Sequence, residues 1–456
     1  MRQLGITKPT DNMPCLHRFS KLVTVEPLVF LYFVSQSLTY SAWQALAYSK
    51  FGQLERNTTF NNSNGTANIT ALTMQWMIYT DLVVTLPMII VTACVSGYSV
   101  RHGLRLAFYL PLVGGTISSA ASLVNAFFPY GGRYLLFVSP LASGLTGYWT
   151  TMLMATVTYV LYDTSLSKMA IRLGLIEAMI MLSDLVAKYA VKPLLGIKTW
   201  GLPLVLFVSI FCQILAILDV TIRLRRCPYP MEPHSDYGKS FCSFQPVIKF
   251  FKILWLKRLN DKRLHIHLIT LVASLQWFTF LGSESMTGEY LTKLGQNHLG
   301  WYSAATAISI GGDTLLLWLL YRYVRCQPLT ITLIGIVSTT LSLACLAYDE
   351  HAWMLWISIT FRFGRSFTRI GSWMYVGESG NPMETAALMG YLAIAQAASA
   401  TIGELAIRTL YRIAIFHWTG FVFIVAAYLC FVTSPILIFI VWNDTRMEMR
   451  VGFWLQ

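Results

Sequence analysis

A dozen apolar stretches, each about 20 residues or longer, limit what this 456-residue chain can become. They fall at about 23–49, 73–98, 105–128, 133–161, 172–195, 199–223, 265–282, 301–323, 328–348, 353–376, 385–410 and 415–441. A helix rises about 1.5 Å per residue, so about 20 apolar residues cross a hydrocarbon core of about 30 Å. In lipid each segment must satisfy its own backbone N–H and C=O groups, and runs this long do so as helices. The sequence therefore predicts an all-α membrane protein with about twelve transmembrane helices. Charged residues make up 12% of the chain, against about 25% in soluble proteins. With a mean hydropathy of +0.56, this excludes a water-soluble α/β enzyme.

The polar stretch 224–264 divides the spans six and six. The expected organisation is a cytosolic N-terminus (1–22), a six-helix bundle (23–223), a basic cytosolic central loop (224–264), a second six-helix bundle (265–441) and a cytosolic tail (442–456). Halves of this kind are related by a pseudo-two-fold axis and meet at a midplane site. They rock about it to give alternating access.

The net charge is +13. In a polytopic chain such a balance reflects cytosolic Lys and Arg rather than nucleic-acid binding. The run Arg223–Arg263 carries ten of these cations and is expected to face anionic lipid headgroups. On the opposite side, the first loop reads "RNTTFNNSNGTANIT" (56–70), with N-x-S/T sequons at Asn57, Asn61, Asn64 and Asn68. Four clustered acceptors point to a glycoprotein with this loop outside or in a lumen. Asn443 also begins a sequon but falls on the cytosolic side, so it is read as chance. Residues 1–22 hold no apolar signal-peptide core, so no cleaved signal is expected.

The eight Cys include no C-x-x-C pair, so neither a zinc nor a redox site is expected. The sequence carries no nucleophile elbow, H-E-x-x-H or phosphate-cradling loop. The expectation is a non-enzyme without a cofactor. Uphill movement would draw on an ion gradient, with protons the expected ion.

Ionisable groups at membrane depth are costly, which makes each a functional candidate. Arg362, Arg365 and Arg369 lie in "FRFGRSFTRIG", and spacings of three and four put them on one helical face. Guanidinium forks suit a carboxylate or phosphate; the alternative is snorkelling to headgroups. Glu177 sits in an apolar run beyond Arg172 and is a proton-coupling candidate, or else one half of a structural salt bridge. Asp313 follows Gly311 and Gly312, as a second proton or substrate group or an interhelical hydrogen-bond acceptor. Asp163 is expected to lock an interface with Lys168 or Arg172, with proton coupling as its other reading. Asp184 and Lys188 are four apart and should pair. Glu26 is expected at a solvated mouth, and His265 and His267 at the interface beside the basic loop.

Several segments resemble the proton-coupled folate transporter and heme-carrier-like family of the major facilitator superfamily. They are "TVEPLVFLYFVSQSL" (24–38), "QWMIYTDLVVTLP" (75–87), "DTSLSKMAIRLGLIEA" (163–178), "FRFGRSFTRIGSWMYVG" (361–377) and "ETAALMG" (384–390). The resemblance implies uptake of organic anions, with folates, heme-like compounds or bacterial wall fragments as solutes. It places the family's acidic residue on Glu177, its tenth-span Arg on Arg369 and its fourth-span Asp on Asp163. Where the family has a His in span seven, this chain has Phe280 or Leu281. The cysteine tie between outer loops has no counterpart, since 50–72 and 283–300 contain no Cys. In "SGYSVRHGLR" (96–105), the place of the superfamily's gating loop, Gly97, Arg101, Gly103 and Arg105 remain. Val100 stands where an acid is usual.

The expected function is secondary transport of an organic anion (folate-, heme- or muropeptide-like) by a monomer among membrane lipids, proton-coupled, in the plasma or endolysosomal membrane. The alternative is a transporter-like receptor or scaffold that moves nothing, which the altered 96–105 loop favours.

Overall fold

The computed structural model describes residues 24–58, 65–128, 133–197, 200–223, 245–258, 262–294, 312–324, 326–348, 352–381, 384–414 and 420–454, with Tyr302, Ser309 and Trp418 between them. Asn61, Asn64, residues 1–22, residues 224–244 of the expected central loop and most of 301–311 lie outside the described residues. Asn57 and Asn68 lie on helical backbone flanking 59–64.

All described regular structure is helical. In the first half α1 is Glu26–Thr58, α2 Gly65–His102, α3 Arg105–Phe127, α4 Val138–Gly144, α5 Tyr148–Asp163, α6 Leu166–Leu195 and α7 Gly201–Arg223. A short helix, α8 (Gln245–Leu254), lies between the halves. The second half holds α9 Lys262–Leu294, a helical stretch over 312–319 that ends in the π-turn Leu320–Val324, α10 Pro328–Ala347, α11 Ala352–Arg362, α12 Phe367–Ser379, α13 Thr385–Ala414 and α14 Phe421–Trp454.

Seven of these helices cross a membrane by length and apolarity alone. Three of the other expected spans fall short for identifiable reasons. Helix α6 carries Arg172, Glu177, Asp184 and Lys188. Two expected spans are interrupted. In 133–161 the break lies between α4 and α5, at Gly147 (φ 79°) and Tyr148 (φ 40°). In 353–376 it lies between α11 and α12, at Gly364 (φ 110°). These are the fourth spans of the two halves, so the breaks occupy pseudo-equivalent places, as expected of internal repeats. With each broken span counted once, the segments make the two six-helix bundles of the major facilitator fold.

Within the first bundle α1 packs on α6 and α7, and α3 on α7; within the second, α9 packs on α13 and α14, and α10 on α12 and α14. Across the bundles α13 packs on α2 and α5, and α12 on α6. Helices α2 and α13 run antiparallel. Gly390 lies against Ser96, and the Thr85 and Thr401 hydroxyls bond at 2.8 Å. The two contacts are a step of 11 residues apart on each helix.

Three expectations need correction. The segment 96–105 is not an open loop. Helix α2 continues through Gly97 and Arg101 to His102, and the turn is only Gly103 (φ 81°) and Leu104 before Arg105 starts α3. A left-handed glycine reverses the chain without the longer connection that a residue with a Cβ would need. Glu26 is not solvated. It is 1% exposed and pairs with Arg172 at 3.3 Å. His265 is buried (1% exposed), with Tyr375 Oη 3.0 Å from Nδ1 and Asn443 Nδ2 2.9 Å from Nε2. Polar partners on α12 and α14 replace the water expected at the interface.

Candidate functional site

A cavity of about 310 Å³ lies between the bundles. On the first-half side its walls come from α1 (Gln36, Thr39, Tyr40, Trp43), α2 (Thr80, Asp81, Thr85) and the α4–α5 break (Tyr148, Trp149); Trp277, Arg369 and Glu404 face them from the second half. On the Gly103 side the bundles are in contact. There Gly390 lies against Ser96, and Gly377 meets Leu161. Met154, Leu173, Met389 and Leu392 belong to one apolar core shared by both bundles. The cavity extends away from this closed face. Its wall is mostly aromatic and hydroxyl-bearing, as suits a ligand with an apolar body. Behind Thr39 is a hydroxyl cluster joining α1, α3 and α7: Ser35 to Ser209 at 2.6 Å, and Thr39 to Ser119 and Ser209 at 2.7 Å each.

Of the three arginines in "FRFGRSFTRIG", only Arg369 lines this cavity. An unbroken helix would hold all three on one face. The turn at Gly364 ends α11 at Arg362 and starts α12 at Phe367, so their directions diverge. Arg362 bonds to Tyr302 and donates to Glu284 at 2.7 Å. Arg365 stacks on Phe280 at 4.0 Å and lies 3.5 Å from the same carboxylate. Arg369 ion-pairs with Glu177 of α6, its guanidinium 4.5 Å from the Trp277 ring and 5.6 Å from that of Trp373. Cation–π contacts of this kind favour a desolvated guanidinium and hold its plane. The Arg369 and Glu177 side chains are only 10% and 3% exposed, so this bridge between the bundles is shielded from water.

Asp313 accepts from the Gly364 N–H at 2.7 Å and the Ser366 hydroxyl at 2.9 Å. It thus caps the start of α12, satisfying amides that the broken helix leaves without partners. Its role in this state is to hold the segment that carries Arg369. Gly312 makes room for it, because the Phe363 ring occupies the place of a Cβ there.

Asp163 is not among the cavity-lining residues. It accepts from Arg172 at 2.8 Å; the same guanidinium reaches Thr164 and Thr24 at 2.8 Å and Glu26 at 3.3 Å. This is a lock joining α1 to the α5–α6 connection. Asp184 and Lys188 pair at 2.7 Å, as the spacing requires.

Two further carboxylates, Asp81 and Glu404, lie on the cavity wall. The antiparallel register of α2 and α13 sets them opposite each other, one turn beyond the Thr85–Thr401 bond. Asp81 lies within electrostatic reach of Glu404 and Arg408, and Tyr40 and Tyr148 lie within reach of Asp81. Glu404 pairs with Arg408 at 3.7 Å. A carboxylate inside the apolar run 385–410 was the signal for Glu404. Nothing in the sequence showed that it would meet Asp81.

No protein-family model matches the chain. The lysosomal proton-coupled steroid conjugate and bile acid symporter of Gallus gallus is 22% identical over 94% of this chain and 97% of that protein. The human organic anion transporter MFSD10 superposes with a TM-score of 0.69 at 14% identity, over 93% of this chain and 100% of its own. The Escherichia coli fucose:proton symporter superposes with a TM-score of 0.65 at 14% identity, over 94% and 98%. The solved structures share the fold; the sequence similarity to the Gallus gallus symporter spans 94% of the chain. The arrangement is that of a multi-pass membrane carrier rather than an enzyme. The chain is a multi-pass membrane protein with the major facilitator fold, similar over 94% of its length to a proton-coupled symporter.

Proposed function

We propose that the protein carries an organic anion together with a proton by alternating access. The observation that carries this reading is the Arg369–Glu177 bridge. It joins the two bundles, and its guanidinium lines the central cavity. An anion entering the cavity competes with Glu177 for Arg369. A proton on Glu177 removes the competitor and the bridge together. Substrate and proton then loosen the same interbundle contact, which is what obligatory coupling needs. Trp149 and Trp277, one from each bundle with ring centroids 5.8 Å apart, offer flat surfaces for a rigid apolar body. An anion with a ring-system core fits this wall, and the relatives are named for steroid conjugates, bile acids and organic anions. The lysosomal relative supports an endolysosomal site of action.

The test is uptake into proteoliposomes of labelled folates, heme analogues, muropeptides and a sulfated steroid, at outer pH 5.5 and 7.4. Faster uptake of one anion class at pH 5.5, abolished by Arg369→Ala, is expected. Equal uptake at both pH values sinks proton coupling. Binding without uptake would instead make the protein a receptor built on a carrier fold.

A further inference from the structure

The gate turn poses a problem that the transport site does not answer. Arg101, His102 and Arg105 crowd around Gly103, and Val100 stands where an acid is usual. What lies against this face is α8. Pro246, Phe250 and Leu254, four apart, form its buried side. The Pro246 carbonyl sits on Gly97 of α2, where a Cβ would collide with it. Helix α8 also packs on α13, and Arg258 just beyond it pairs with Glu384 at 2.9 Å, next to the start of α13. The segment therefore bridges the two bundles across the closed face.

It brings more positive charge. Residues 245–263 hold Lys249, Lys252, Lys257, Arg258, Lys262 and Arg263 against a single acid, Asp261. Burial and the nearby Arg101 both lower the pKa of Lys249. A second flank of α8 faces away from the protein. Ile248 is 62% exposed, Phe251 52% and Trp255 70%, at spacings of three and four. Lys252 is exposed beside them. A broad apolar side divided between protein and exterior, with lysines at its edge, describes a helix lying in the plane of a membrane interface. In water the outer flank would be an unfavourable patch.

We propose that α8 is an interfacial latch for an anionic leaflet. Ile248, Phe251 and Trp255 seat at the acyl boundary, and acidic headgroups supply counter-charge to Arg101, Lys249 and Lys252, which form no ion pair among the described residues. Seated this way, α8 holds Pro246 on Gly97 and Arg258 on Glu384 and keeps this face closed. The link to gating rests on the alternating-access reading; the lipid contact does not.

The test is hydrogen exchange of residues 246–258 in the full-length protein, in nanodiscs of phosphatidylcholine alone or with about a third phosphatidylserine. Anionic lipid is expected to slow exchange on the order of tenfold, from two lysines near the surface. Lys249→Gln with Lys252→Gln should erase the difference, and Phe251→Ser should speed exchange in both lipids. Unchanged exchange in α2 and α13 shows that each variant is folded. Lipid-independent exchange overturns the proposal. So does inorganic phosphate in neutral nanodiscs if it reproduces the slowing, since the site would then bind a free anion. Because no transport is measured, a failed uptake assay leaves this result standing, and the reverse.

Discussion

Arg369→Ala isolates the energetics of the interbundle bridge. Glu177 is 3% exposed on its side chain and makes no hydrogen bond to another described residue. Removing one partner of a buried pair leaves an uncompensated charge and should cost about 3–5 kcal/mol. The assay is denaturant unfolding of the purified carrier. Arg369→Ala with Glu177→Gln leaves no unpaired charge behind and should recover much of the loss. A deficit below about 1 kcal/mol for the single variant, or one that the double variant does not relieve, would refute a buried carboxylate paired with Arg369.

Gly364→Ala places a Cβ at φ 110° and should cost about 1–3 kcal/mol, read as a lower unfolding midpoint and as lost anion binding when α12 is displaced. Arg172→Ala leaves Glu26 and Asp163 without their shared cation and should cost about 3–5 kcal/mol, seen as loss of folded carrier on size-exclusion chromatography; Arg172→Lys should recover only part, because an ammonium lacks the planar fork. Asp81→Asn relieves repulsion with Glu404 and should favour closure of α2 on α13. A Cys placed at Tyr40 would then react about fivefold more slowly with a polar thiol reagent at neutral pH, equivalent to about 1 kcal/mol in a wet site; an unchanged rate would show that the two acids do not govern access.

Hydropathy was enough to read the membrane class, because a bilayer demands apolar segments of set length and this demand is local. Pairings four residues apart, such as Asp184 with Lys188, were legible for the same reason. The three arginines were not. A period of 3.6 implies a shared face only while the helix continues, and Gly364 ends it between Arg362 and Arg369. Glu26 was misplaced because burial depends on Arg172, 146 residues away.

What the sequence determined by itself is therefore the helical membrane fold and the stock of intramembrane charges. Only the tertiary structure decided which charges meet. It set Glu177 on Arg369, Asp313 on the amide of Gly364, Asp81 opposite Glu404, and the Pro246 carbonyl on Gly97 of α2. The physical reason is range. Lipid solvation acts on each segment separately, whereas ion pairs and close helix contacts act between segments whose register is fixed only once both bundles have packed.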